Sequence, residues 1–328
     1  MPDIVEWNEI SDRYHRGTLL LGNGSSIAVN DCFRYESLFD EACRLGYIND
    51  RVQQVFDEFG VTDFELVLRR LWQAKKVNEA LGIEPGRVEE AYSLVRNALI
   101  NTVRDVHISY DDARPHLTPI FRFMQRFDTV ISLNYDLLVY WATQLGNREL
   151  GNWFKDCFNP SRFRNDWAYL REAYRADGAT LFFYPHGNLV LRREGFAESR
   201  KITSGDSGGL LDAILIAWEQ DEFAPLFVCE GTTRKKQLAI ASSDYLEKVF
   251  YEVLPSLGET LVIYGWSVGD QDEHLLNQLR KSSARRVAVS IYGNNQVLAG
   301  NIEDRCNALG FDEIVFFDSE SEGCWNKE

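Results

Sequence analysis

The 328-residue chain has no apolar stretch of 18 residues or more, no CxxC pair, no internal repeat, no low-complexity tract and a shortage of positive charge. Each absence removes a class of protein. Without the long apolar stretch there is no segment fit to span a bilayer as a helix. The acidic start, Pro2 to Trp7, lacks the basic n-region and apolar h-region of a secretion signal, so a soluble cytoplasmic protein is expected. A zinc site or a disulfide framework would show paired or regularly spaced cysteines. Cys32, Cys43, Cys157, Cys229, Cys306 and Cys324 show neither, and are read as buried thiols. Lys and Arg number 35 against 50 Asp and Glu, a formal net charge of -15. That balance excludes a broad footprint on nucleic acid, which needs clustered cations to displace counterions. A local basic patch remains at Arg234-Lys235-Lys236.

What the chain does have is a large apolar fraction, 45% with 13% aromatic, enough for a substantial core. Four short apolar runs stand out, because each empties into a different polar sequence. Residues 18–21 lead into Gly22-Asn23-Gly24-Ser25-Ser26, and 130–133 into Asn134-Tyr135-Asp136. Residues 181–185 lead into His186-Gly187-Asn188, and 261–264 into Gly265-Trp266-Ser267. The runs have no polar alternation, as expected of parallel strands buried on both faces. Three further runs read as strands: 225–229, 287–292 and 314–317. Seven strands alternating with helical periodicity predict an α/β, Rossmann-like, doubly wound and mostly parallel sheet. In such sheets the ligand lies beyond the carboxyl ends of the strands, so the four polar sequences are expected to converge.

A single domain over 1–328 is expected, since these sequences span positions 22 to 267. Two stretches are too long for ordinary crossovers and read as helical insertions, about 36–126 and 137–178. In the first, Thr62-Asp63-Phe64-Glu65 has the form of a capping box, and a second helix is expected over 88–106. Asn159-Pro160 interrupts the helical pattern of the second. Another helix, with Tyr245, Leu246, Val249, Phe250 and Val253 as its apolar stripe, is expected over 243–254. Residues 192–211, rich in Arg, Ser and Gly, read as a flexible loop and a candidate lid.

The residues that could carry chemistry follow from these exits. Gly22 and Gly24 allow a tight turn and close approach of backbone N–H groups to a pyrophosphate, with Asn23, Ser25 and Ser26 as further donors. A plain strand-to-helix turn, leading to a helix start near 30–39, would look the same. Asn134 can orient a water and a ribose hydroxyl together, since its side chain both donates and accepts; it can equally cap the helix beginning at Leu137. Asp136 reads as a support for developing charge or as a first-turn helix acid. His186 is the candidate general base, and Gly187 leaves room beside it. Gly265 and Ser267 suit an adenosine ribose, while Asp270 or Asp272 could accept from a hydroxyl or cap the helix carrying His274. Asp270, Asp272 and His274 also have metal-like alternation, but capping explains the acids, and no metal is expected.

In this order, the four sequences resemble those of the sirtuin-like family: a Gly-rich, Ser-containing first turn, an Asn-x-Asp element, a His-Gly element with the catalytic base, and a Gly-x-Ser element near adenosine. The chain departs from protein-deacylase sirtuins in lacking the two CxxC pairs of their zinc module. It looks more like the bacterial zinc-free branch, which the segment 227–233 also resembles. The resemblance implies an NAD+ glycohydrolase with His186, Asn134 and Asp136 as catalytic residues, NAD+ as substrate and no metal. It further implies an effector in anti-phage defence, held inactive until a sensor or assembly partner engages it. The two insertions and the 192–211 loop are the candidate contact surfaces, and a homo-oligomer is left open. The rival readings are a zinc-free deacylase or ADP-ribosyltransferase and a non-catalytic NAD or ADP-ribose sensor.

Overall fold

A computed structural model describes the chain except for residues 1, 36, 85, 195–197, 204–207, 221–224, 228–232 and 328, and the side chains of 233–235. Its strands are β1 (Ile4–Val5), β2 (Thr18–Leu21), β3 (Thr129–Ser132), β4 (Phe154–Lys155), β5 (Thr180–Phe183), β6 (Gly187–Glu194), β7 (Glu198–Lys201), β8 (Pro225–Phe227), β9 (Thr260–Tyr264), β10 (Arg286–Ile291) and β11 (Glu313–Asp318). Eight of them form one sheet in the order β1-β11-β10-β9-β2-β3-β5-β4, with every pair parallel. Helices flank it, and the fold is Rossmann-like α/β.

The apolar runs became strands because their side chains have no wet face to satisfy. Leu19, Leu20 and Leu21 of β2, and Leu261, Val262 and Ile263 of β9, are all fully buried. Each such side chain contributes roughly 1.5–3 kcal/mol of burial. The register then aligns the exits. Leu21 at the end of β2 lies beside Ser132 of β3 and Tyr264 of β9, and Ile131 of β3 lies beside Phe183 of β5. From β2 the chain runs to β3 and β5 on one side, and later returns to β9 and β10 on the other. The reversal of strand order at β2 opens a crevice at the carboxyl ends, where such folds bind ligands.

Several expectations need correction. The run at 225–229 forms a strand over Pro225–Phe227, but it pairs antiparallel with β6 in a separate three-stranded sheet, β7-β6-β8; its residues 228 and 229 lie outside the described residues. The main sheet instead gains β1 and β4, each of two residues and too short to leave a period in sequence. The proposed loop at 192–211 begins as the β6–β7 hairpin, and Leu210–Gln220 is already a helix; residues 195–197 and 204–207 are outside the described residues. Its arginines misled because Arg193 is buried, paired with Glu65 at 3.2 Å. That pairing also removes Glu65 from the capping box: the cap of the helix Phe64–Leu81 is Asp63, which accepts from Leu66 N. The turn after β2 enters a helix at once, Asn23–Ile27, rather than near residue 30.

The first insertion is helical, with Leu38–Arg44, Asp50–Phe59, Phe64–Leu81, Gly86–Val106 and Tyr110–Met124. In the second, the helix Leu138–Leu150 gives way to β4 and a short 3-10 turn at Trp167–Arg171, so helices do not dominate it. The helix expected over 243–254 is capped by Ser243, and its five apolar residues are all buried, although its second half is wound as a π-helix. Cys157, Cys306 and Cys324 are buried thiols, but Cys32 and Cys43 are exposed, and Cys229 is outside the described residues.

Candidate functional site

A cavity of about 290 Å³ lies at the carboxyl ends of β2, β3, β5 and β9. Its wall contains Gly22, Asn23, Asn134, Asp136, His186, Gly265, Ser267 and Asp272, so one member or more of each of the four sequences reaches it. Aromatic side chains of Phe33, Tyr35, Tyr135 and Trp266 complete the wall. The size is at the low end for a ligand pocket. A second cavity of about 340 Å³ lies against β4, lined by Lys155, Asp156 and Lys201 among others, and none of the four sequences reaches it.

Four expected residues are not in the wall of the first cavity: Gly24, Ser25, Ser26 and Gly187. The glycines of the first turn serve a close approach of two backbones. Gly22 N donates to Tyr264 O at 2.9 Å and Gly24 N to Gly265 O at 2.8 Å. Gly265 has a positive φ of 69°, and a Cβ there would lie 2.3 Å from Ser25 N. Gly187, at φ 77°, is needed because β8 passes beside it, with Leu226 O 2.1 Å from where a Cβ would be.

Ser25 and Ser26 are buried beneath the cavity, where their hydroxyls belong to an internal network. Asn134 Nδ2 donates toward Gly22 O at 3.0 Å, Ser25 Oγ at 2.9 Å and Ser26 Oγ at 2.8 Å. Ser25 Oγ in turn donates to Gly22 O, and Ser26 Oγ to Asp136 Oδ2 at 2.5 Å. A carbonyl oxygen can only accept, so Gly22 O fixes which end of the Asn134 amide is nitrogen. The Asn134 carbonyl oxygen, without a hydrogen-bond partner among the described residues, is left for the cavity. Asp136 Oδ1 accepts from Leu138 N, the first residue of the following helix, at 2.9 Å, so both its oxygens are engaged, and the cap position is Leu137 rather than Asn134.

His107, which drew no attention in the sequence, pins this loop. Its Nδ1 donates to Ile108 O, and its Nε2 accepts from Leu137 N at 3.0 Å, an arrangement only the neutral ring can make. Burial accordingly lowers its pKa, against the opposing pull of Asp136. Trp325 holds the first turn from below, donating from Nε1 to Ser25 O at 2.8 Å.

His186 meets a second imidazole. Its Nε2 lies 2.9 Å from Nε2 of His274, so one ring donates and the other accepts. For His186 to act as a base through Nδ1, it must be the donor, and His274 then fixes its tautomer and direction. His274, buried on the helix Glu273–Leu279, has no partner at Nδ1 among the described residues. Burial first, then the positive Lys236, pushes the His186 pKa down to about 3 and that of His274 to about 4. Lys236, another residue missed in sequence, pairs with Asp272 Oδ1 at 2.9 Å, both side chains being buried. Trp266 Nε1 donates to the other carboxylate oxygen at 3.0 Å. Burial raises the Asp272 carboxyl, but His186, Lys236 and Trp266 outweigh it and hold it below the ordinary range. Asp272 makes no side-chain cap, and each of its oxygens already accepts one bond within the protein while it stands in the cavity wall. Asp270 points elsewhere, to Arg305.

His186, Asp272 and His274 each bring a ligand-type atom within 4.8 Å of the others. They suit a divalent cation poorly. Both Asp272 oxygens accept within the protein, an ammonium sits beside them, and among the described residues nothing makes the outer hydrogen bond to His274 that orients a ligating imidazole.

No curated protein matches the chain. A family model does, over residues 19–325, from within β2 to the tryptophan that holds the first turn from below. The chain belongs to that family, described as a domain of unknown function, DUF4917.

Proposed function

We propose that the protein is an NAD+ glycohydrolase of sirtuin-like character, cleaving the bond between nicotinamide and ribose with water to give nicotinamide, ADP-ribose and a proton. The observation that carries the reading is the single cavity onto which the four strand exits open, with a fixed amide oxygen and an imidazole in its wall.

Breaking the N-glycosidic bond leaves positive charge on the ribose while the pyridine leaves neutral. Such a transition state is helped by orientation, a placed water and nearby negative potential. The Asn134 carbonyl oxygen accepts from the attacking water or a ribose hydroxyl, and its position is set by the three contacts of its nitrogen. His186 is neutral at physiological pH and takes the proton through Nδ1, with Nε2 held by His274. Asp136, its oxygens engaged, contributes its negative charge to the developing cation rather than a direct bond. The aromatic residues of the wall are assigned to the nicotinamide ring, and Gly265 and Ser267 of the same wall to the adenosine end.

The test is nicotinamide release from NAD+, with the chain alone and with the product of a neighbouring gene. Hydrolysis requires only water, and the reading expects His186→Ala and Asn134→Ala to abolish it in folded protein. Release that depends on an acylated or nucleophilic acceptor would instead assign a deacylase or transferase. Saturable binding without nicotinamide in any combination would assign a sensor. As a defence effector the isolated chain is expected to be nearly inactive, and full activity of the purified protein would overturn that part.

A further inference from the structure

A dinucleotide brings a pyrophosphate with two negative charges into a strongly acidic protein, and something must meet it. The first turn has few donors left to do so. The N–H groups of Gly22 and Gly24 are committed to Tyr264 O and Gly265 O, and the Ser25 and Ser26 hydroxyls to the network below. Among the described residues of the wall the one cation is Lys236. Its ammonium is neutralised by Asp272, which stands against the His186–His274 pair.

We propose that Lys236 is the residue that meets the ligand's pyrophosphate, and that it leaves Asp272 to do so, handing the Asp272 carboxylate to the His186–His274 pair. The helix Thr233–Ile240 carries Lys236, the turn Asp270–Asp272 carries Asp272, and the helix Glu273–Leu279 carries His274. Asp136 stands in the same wall, on the loop after β3. Lys236, Asp272 and His274 act directly on His186, while Asp136, Tyr35 and Tyr135 share its wall. Lys236 opposes a proton on His186, and Asp272 favours one. Moving the ammonium onto a phosphate removes the first influence and releases the second, so the base strengthens only when an anion fills the site. The step is a transfer of ion-pair partners; no covalent bond changes. It selects for substrates with a pyrophosphate over the bare nucleoside. The identity of the anion rests on the dinucleotide-cleaving reading above, but the switch itself does not.

The experiment is a nitrogen-15 NMR titration of the histidines in the full chain, with and without inorganic pyrophosphate, beside calorimetric binding of ADP-ribose. Pyrophosphate is expected to raise the His186 titration midpoint by one unit or more. Lys236→Met is expected to weaken ADP-ribose at least tenfold and to start with the midpoint already raised. Because that variant leaves Asp272 buried and unpaired, the double variant Lys236→Met with Asp272→Asn removes both charges together. It should bind ADP-ribose at least tenfold more weakly and show no response to pyrophosphate. An unmoved His186 midpoint at saturating pyrophosphate, or wild-type ADP-ribose affinity in the folded double variant, overturns the proposal. If the midpoint shifts and the affinity falls while NAD+ is never cleaved, the switch stands and the glycohydrolase reading falls.

Discussion

Replacing Asn134 by Leu, of nearly equal volume, separates the structural duty of this amide from its proposed chemical one. In the wild type, the side-chain nitrogen offers two hydrogens to three acceptors, at 2.8, 2.9 and 3.0 Å. Leucine removes both donors, while the serine hydroxyls still donate to Gly22 O and Asp136. What is lost is therefore two hydrogen bonds, and what is left is two buried serine oxygens short of a donor. At about 1 kcal/mol for each net bond, with a little more for the stranded oxygens, the loss is about 2–3 kcal/mol. With an m-value near 3 kcal/mol/M, urea unfolding should shift by about 0.7–1 M. A double-mutant cycle with Ser26→Ala sharpens the test. The two residues share one chain of hydrogen bonds, so the combined loss should fall short of the sum by at least about 0.5 kcal/mol. A wild-type midpoint for the leucine variant, or strict additivity in the cycle, would refute the claim that the amide nitrogen serves the fold and its oxygen alone the ligand.

Two further outcomes follow from the site. The His186 pKa is depressed to about 3 in the folded chain from an ordinary value of about 6.5, so its stabilising contribution is complete above pH 6.5 and is lost as pH falls toward 3. At pH 5 that amounts to about 2 kcal/mol, and the stability difference between wild type and His186→Gln, measured by urea unfolding, should change by this much between pH 7.5 and 5; a constant difference would contradict a buried neutral ring. Gly265→Ala meets both a left-handed backbone and the Ser25 amide at 2.3 Å. It should cost at least about 2 kcal/mol by thermal or urea unfolding, from the backbone conformation plus the displaced turn, and a variant as stable as the wild type would mean that the two turns are not in contact.

The strand exits were legible because each is punctuated by residues that the backbone or the packing there requires. Gly265 and Gly187 sit at positive φ with neighbouring main chain pressed against them, and such positions advertise themselves in sequence even though the reason was close packing and not a ligand. The fully apolar strands were legible for the same kind of reason, having no exposed face to encode. Lys236 and His274 were not read as part of the site, because each comes from a helix whose local sequence gives no sign of what it faces. In sequence Lys236 is the end of a basic patch, and His274 the last member of an alternation with Asp270 and Asp272 that helix capping explains. His107 was hidden likewise, contacting Leu137 across 30 positions. Arg193 shows the converse error: a charged stretch taken as solvated, where the guanidinium is in fact enclosed with a carboxylate 128 positions away. Sequence composition reports which groups are polar; their partners come only with the tertiary fold.

That enclosed pair has a mechanical meaning. Arg193 stands six residues beyond Gly187 on the strand that begins next to the imidazole, and Glu65 opens the long helix Phe64–Leu81 of the first insertion. Prising two such charges apart would cost about 3–5 kcal/mol, more than ordinary surface contacts supply. The first insertion is thus fastened to the β6–β7 hairpin by a buried ion pair, and the two can part only at that cost.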